Sequence, residues 1–230
     1  MKIIYRISDT GYSKVKPDYI GNEQCLKNAI EVFKDADWSV IADNVSTETD
    51  LMLLKYLPKS AIYYASIGHG AGTFNLALDE ALTYKDDEIV YFIENDYLHT
   101  PDAKNILEEA FKLNPAFVSL YDHPDKYLDP QNGGNPYCNG GAEDTRVYLT
   151  KNSHWKITNS TTMTFAAKVK TLKETEPILR KFTEGTHPND FPMFLELRKN
   201  NRILITPIPG KSTHGETAWL SPLTDWSIYG

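Results

Sequence analysis

Short apolar runs that alternate with amphipathic stretches constrain this chain more than any other feature of its sequence. Residues 2–8 read as a buried strand, and residues 22–35 follow with Leu26, Ala29, Ile30 and Phe33 at helical spacing on one face. The alternation continues through strand 39–42, helix 47–57, strand 61–66, helix 74–83 and the unbroken apolar run 89–93. A run without polar interruption suits a central strand covered on both faces better than a half-exposed one. Strands alternating with helices through residue 113 predict a parallel α/β sheet with right-handed crossovers.

The second half has a different texture. Residues 116–121 read as another strand, but 122–145 is a long stretch of Asp, Gly, Pro and Asn with almost no periodicity, a length that in a compact domain marks either a functional loop or a disordered one. Residues 146–150, 154–158 and 163–167 read as short strands of a mixed region, followed by helices 169–182 and 191–199. Asn189 or Asp190 is placed to cap the second of these. A strand at 202–206 leads into a tail that carries His214, Trp219 and Trp226 between glycines and prolines. No repeat or composition break divides the chain, so 1–230 is expected to be one domain.

Composition narrows the function classes. With 230 residues, the chain can bury a core without disulfides or a structural metal, and its two cysteines, Cys25 and Cys138, form no disulfide or zinc-ligand pattern. A reducing, cytoplasmic setting is the expectation. No apolar run approaches the roughly 20 residues of a membrane-spanning helix. The formal charge of −7 argues against a nucleic-acid groove.

Ligands of open parallel sheets bind beyond the carboxyl ends of the strands, and those ends are polar here. The first strand ends in Arg6-Ile7-Ser8-Asp9, the second in Asp43-Asn44, the third in a glycine-rich segment over 67–72, and the fourth in Glu94-Asn95-Asp96. Asp96 and, less directly, Glu94 sit where carboxylates could hold a hard divalent cation, although acidic residues are also common at solvated strand ends. Other known signals fail: there is no Gly-x-x-x-x-Gly-Lys-Ser/Thr phosphate loop, no Gly-x-Gly-x-x-Gly fingerprint and no Gly-x-Ser-x-Gly elbow.

The order of Arg6-Ile7-Ser8-Asp9, Asp43, the Gly72-Thr73-Phe74-Asn75 helix start and, above all, Tyr91-Phe92-Ile93-Glu94-Asn95-Asp96 resembles the GT-A class of nucleotide-sugar-dependent glycosyltransferases. Glu94-Asn95-Asp96 stands where that class has its Asp-X-Asp motif, with Glu replacing the first Asp. More loosely, a GT-A unit of this length resembles the glycosyltransferases that large chlorella viruses use on capsid glycans, and a virus-encoded enzyme would work in the host cytoplasm. The resemblance implies a Rossmann-like nucleotide-sugar-binding half over 1–113 and an acceptor-binding half with a C-terminal lid over 114–230, sharing a mixed central sheet flanked by helices.

It also implies roles for individual residues. Arg6, Ser8, Asp9, Asp43, Asn75, Glu94 and Asn95 would face the nucleotide sugar, Asp43 by accepting a hydrogen bond from the base, most simply uracil. Asp96 and His214 would hold Mn2+ or Mg2+ on the diphosphate of a UDP-sugar, an imidazole favouring manganese. Asp190, in His187-Pro188-Asn189-Asp190-Phe191, would be the catalytic base; as a helix cap it has an equally simple local role. Asp122, His123 and Trp155 would meet a glycan or glycoprotein acceptor, with tryptophans stacking on sugar faces or packing in the core. Two rivals share the architecture. One is a non-catalytic carbohydrate- or nucleotide-binding protein; the other is a sugar nucleotidyltransferase, whose basic, glycine-rich pyrophosphate loop is not evident in 10–18, which carries only Gly11 and scattered lysines.

Overall fold

A computed structural model describes residues 1–10 and 14–230, so Gly11 lies outside the described residues. In chain order the first half comprises β1 (Lys2–Ser8), α1 (Asn22–Val32), β2 (Asp37–Asp43), α2 (Thr47–Tyr56), β3 (Ile62–Ala65), α3 (Gly70–Ala81), β4 (Ile89–Glu94), β5 (Tyr97–His99) and α4 (Ala103–Ala110). The second half comprises β6 (Phe117–Val118), β7 (Cys138–Asn139), β8 (Ala142–Glu143), β9 (Val147–Leu149), β10 (His154–Thr158), β11 (Phe165–Lys168), α5 (Val169–Lys181), α6 (Asp190–Lys199), β12 (Leu204–Ile208) and β13 (Ser212–His214).

Successive β1 side chains leave the strand on opposite faces, and both faces are buried. Ile3, Tyr5 and Ile7 pack with Leu26 of α1, Leu53 of α2 and Ile106 of α4, whereas Ile4 packs with Phe74 of α3, Leu172 of α5 and Met193 of α6. Such a strand needs a helical layer on each side, and the sheet receives both. Nine strands run β3-β2-β1-β4-β11-β6-β12-β10-β9, so the mixed sheet draws on both halves of the chain. β1 pairs in parallel with β2 and β4, and β11 runs antiparallel to β4.

The register positions the chemistry. Arg6 lies opposite Glu94 and Ser8 opposite Asp43, so the polar strand ends line up along one edge. The chain leaves β1 towards β2 and β3 and then returns to β4 on the other side. The gap between β1 and β4 is therefore the topological switch point at which ligands of such sheets bind.

Several local expectations change. Helix α3 starts at Gly70, four residues before its apolar periodicity, because the His69 imidazole accepts from the Gly72 amide and caps the turn. The 122–145 stretch is ordered by two short 3-10 turns and the β7–β8 pair, with Asn135 bridging Asp125 and Asn159. The three-residue strands β5 and β13 form a separate antiparallel ribbon that sequence periodicity does not reveal.

Trp155 differs from its expected place at an acceptor surface. It is fully buried in the core, and its indole N–H donates to Thr150 Oγ1 at 3.0 Å. Trp155→Ala is expected to destabilise the protein by about 3–5 kcal/mol in urea unfolding, as a large cavity in a packed core does. A loss well under 1 kcal/mol would contradict that packing role.

Candidate active site

A cleft of about 350 Å³ opens at the switch point, lined by Arg6, Ser8, Asp9, Asp43, Glu94, Asn95 and Asp96 together with Lys14, Lys16 and Thr73. Most of its polar groups are already engaged. The Arg6 guanidinium is buried and donates to the carbonyls of Gly70 and Met163, each at 3.2 Å, while its Nη2 lies 3.2 Å from Glu94 Oε1. Arg6 thus joins β1, α3 and β4 around the cleft. Asp9 accepts from the Ser46 amide at 2.6 Å and from Thr49 Oγ1 at 2.8 Å, which fixes the end of β1 to the start of α2. Asn95 donates to Asn22 Oδ1 at 2.8 Å across the same floor.

Asp43 lines the cleft, but its oxygens accept from the amides of Ile67 and Gly68 at 2.6 and 2.8 Å. Its geometry makes it a clamp on the turn before α3, where Gly68 adopts φ +81°. Asn75 is not brought to the cleft. Its amide group donates to the Thr183 carbonyl and accepts from Thr183 Oγ1, both at 3.0 Å, tying α3 to the end of α5.

Asp96 follows β4, and His214 ends β13. The β5–β13 ribbon pairs Tyr97 with His214, which brings His214 Nε2 to 3.3 Å from Asp96 Oδ2. Gly215 permits this approach: a Cβ there would stand 2.8 Å from the Asp96 carbonyl oxygen and 2.6 Å from Ile20 Cγ2. Lys14 Nζ donates to Asp96 Oδ2 at 3.0 Å and lies 2.8 Å from His214 Nε2, while Lys16 Nζ is 3.6 Å from the same carboxylate oxygen. His214 Nε2 faces both groups and can accept from the ammonium or donate to the carboxylate, one at a time. Burial alone would raise the Asp96 pKa, but His214, Lys14 and Lys16 outweigh it and hold this carboxyl far below the usual range.

These donors fit a divalent cation. A carboxylate oxygen and an imidazole nitrogen converge on one cationic point, where the Lys14 ammonium now stands. Among the described residues no three His, Cys, Asp or Glu side chains gather as a ligand group. The protein would therefore supply two ligands and leave the other positions to water and phosphate oxygens, the usual pattern for cations held with phosphates.

A second pocket of about 190 Å³ is lined by His123, Asp125, Lys126, Asn135, Thr162 and Asp190. Desolvation raises the Asp190 carboxyl to about 6, with the Glu94 charge adding to the effect and the Phe191 amide opposing it. Asp190 thus lines the second pocket while feeling the charge of Glu94, which lines the first cleft. Rings also connect the two: the Tyr121 centroid is 6.3 Å from His214 and 5.0 Å from His123, and His123 is 5.3 Å from Trp219. Asp122, expected here, is instead buried, with Lys156 Nζ at 2.9 Å and the Tyr127 hydroxyl donating to it at 2.6 Å. His123 and its neighbour Asp125 line this pocket with Lys126 and Asn135, whereas Asp122 and Trp155 do not. Sequence reading also missed Lys14 and Lys16, whose only signal was their position just after β1.

No protein-family model matches the chain, and neither does any curated protein sequence. Solved structures do. CMP:2-keto-3-deoxy-manno-octonic acid synthetase complexed with CTP is 12% identical, with a TM-score of 0.51 over 94% of this chain and 93% of that one. GalNAc-T7 with UDP, GalNAc and Mn2+ is 10% identical, with a TM-score of 0.58 over 95% of this chain, which spans only 44% of that protein. At these identities the likeness establishes the fold: a GT-A-type mixed sheet flanked by helices. No helix among the described residues is long and apolar enough to cross a membrane.

The ribbon that carries the site rests on a neutral histidine. His99 is fully buried, its Nε2 lies 2.9 Å from the Tyr91 hydroxyl, and Asn28 hydrogen bonds to its backbone on both sides. Burial lowers its pKa to about 3. The folded form therefore stays neutral while the unfolded chain protonates near 6.5, so stability is full above that pH and falls as pH drops towards 3. Between pH 6.5 and 4.5, urea unfolding is expected to lose about 2 kcal/mol through this group, and His99→Gln to flatten the slope. An unchanged slope in the variant would contradict the assignment.

Proposed function

We propose that this chain is a glycosyltransferase that moves a sugar from a UDP-sugar donor to a hydroxyl of a glycan or glycoprotein, with Mn2+ or Mg2+ held by Asp96 and His214. The observation that carries the reading is a polar cleft at the switch point that contains Asp96 with His214 against it, together with a second polar pocket whose Asp190 carboxyl is raised to about 6 by burial and feels the charge of Glu94. The likeness to GalNAc-T7 with UDP, GalNAc and Mn2+ supports it. A bound divalent ion would supply neutralisation of the charge that builds on the departing diphosphate.

The chain's own residues have distinct tasks in this reading. Arg6, Ser8, Asp9 and Asn95 face the nucleotide sugar, and Glu94 pairs with Arg6 beside them. Asp43 acts through the turn at 67–68 that it holds, and Asn75 through the α3–α5 contact. In the second pocket His123, Asp125, Lys126 and Asn135 orient the acceptor. Asp190 takes the proton of the acceptor hydroxyl as its oxygen bonds to the anomeric carbon and the bond to the diphosphate breaks, a single displacement that inverts that centre.

The raised pKa sets the sign of the pH dependence. The base must be ionised, so kcat/KM is expected to rise with pH through about 6 and to fall below it. Asp190→Asn should lower turnover by roughly 10²–10⁴-fold, the usual worth of a general base. Near-normal turnover, or a product with retained configuration, would remove Asp190 from that role.

Lys14 and Lys16 beside Asp96, with the likeness to CMP:2-keto-3-deoxy-manno-octonic acid synthetase, favour one second reading, a sugar nucleotidyltransferase. Incubation with a panel of UDP- and GDP-sugars and Mn2+ separates the two. Metal-dependent donor hydrolysis or transfer supports the first reading. Silence on that panel, with pyrophosphate released from CTP or UTP and a sugar, supports the second.

A further inference from the structure

The cation-binding donor pair already has a cation on it. Lys14 Nζ is within hydrogen-bond distance of both Asp96 Oδ2 and His214 Nε2, at 3.0 and 2.8 Å, and Lys16 is 3.6 Å from the same oxygen. Hard divalent ions sit about 2.0–2.1 Å from their ligands, so an ion bound to these two atoms would fall within the space and charge field of the ammonium. The lysine and the ion cannot share the pair. Lys14 is a quarter exposed and lines the cleft, which leaves it room to move and a nearby position for a new partner.

We propose that Lys14 and the divalent cation compete for the Asp96–His214 pair, and that Lys14 transfers to the diphosphate of the donor when the cation enters. This rests on the glycosyltransferase reading above and goes beyond it by giving Lys14 two successive partners. A cation arriving without nucleotide must break both Lys14 contacts with nothing to replace them. A cation arriving with nucleotide brings anionic oxygens that accept from the displaced ammonium. Metal and nucleotide therefore bind with positive coupling, and by linkage each strengthens the other by the same factor. Arg6 cannot take this part, because its guanidinium is held by Gly70, Met163 and Glu94.

Lys14→Met keeps the length of the side chain and removes its charge. Binding of Mn2+ alone, followed by electron paramagnetic resonance of the free ion, is expected to tighten about tenfold in this variant, while UDP binding at saturating Mn2+, followed by calorimetry, weakens about tenfold. Opposite signs are the signature, since mere loss of packing would weaken both. Lys14→Arg, which keeps a cation at the position, should leave Mn2+ affinity within about twofold of the parent protein. Unchanged or weaker Mn2+ binding in Lys14→Met overturns the competition, and unchanged UDP binding overturns the transfer. Asp96→Asn separates this failure from that of the underlying reading: if it binds Mn2+ as well as the parent does, the ion is not on Asp96 and both fall.

Discussion

The ion cluster at Asp96 ties the end of β1, β4 and the last strand of the molecule together. A buried carboxylate is costly unless it is paired and hydrogen bonded, and Asp96 is kept ionised by His214, Lys14 and Lys16 from two distant parts of the chain. Lys14 and Lys16 come from just beyond β1, and His214 comes from the last strand. The cluster therefore depends on the β5–β13 ribbon, and the ribbon depends on Asn28 of α1 and on the buried His99. Around it the other acidic residues of the cleft are each compensated differently: Asp9 by Ser46 and Thr49, Asp43 by backbone amides, Glu94 by Arg6.

In the proposed reading, the two pockets divide the work that group transfer needs. One sets Arg6, Lys14 and Lys16 among the carboxylates Asp9, Asp43, Glu94 and Asp96 at the switch point of the sheet, and the other keeps the Asp190 carboxylate poorly solvated beside hydrogen-bonding groups. Pro188 packs against Gly70 and the Ala71 amide donates to the Thr186 carbonyl, so the segment before Asp190 is held against the start of α3 at the edge of the first cleft. In the proposed reading, this anchoring sets Asp190 between the donor cleft and the acceptor pocket, as transfer between the two would require.

How much of this was legible in the sequence follows from the range of the forces involved. β1 and β4 were readable because each is an apolar run buried on both faces, and the polar residues that end them fall at the switch point by topology alone. β5 and β13 were not readable: each is three residues long, and their pairing joins positions more than a hundred residues apart. Asp96 and His214 were expected together only through a family resemblance, and the structure brings them to 3.3 Å. Asp122 and Trp155 have the residue types of a sugar site, but sequence does not reveal burial; Lys156 and the core claim them. Lys126 and Asn135 escaped notice inside a loop whose order comes from side-chain hydrogen bonds rather than periodicity.

The central claim is that Asp96 and His214 anchor a nucleotide diphosphate at the β1–β4 switch point. A crystal structure of the protein grown with UDP and Mn2+ tests it most directly. The account predicts an anomalous manganese peak coordinated by Asp96 Oδ2 and His214 Nε2, with the diphosphate on the same ion and the uridine lying over the end of β1. Nucleotide bound elsewhere, or a manganese peak away from both residues, would contradict it.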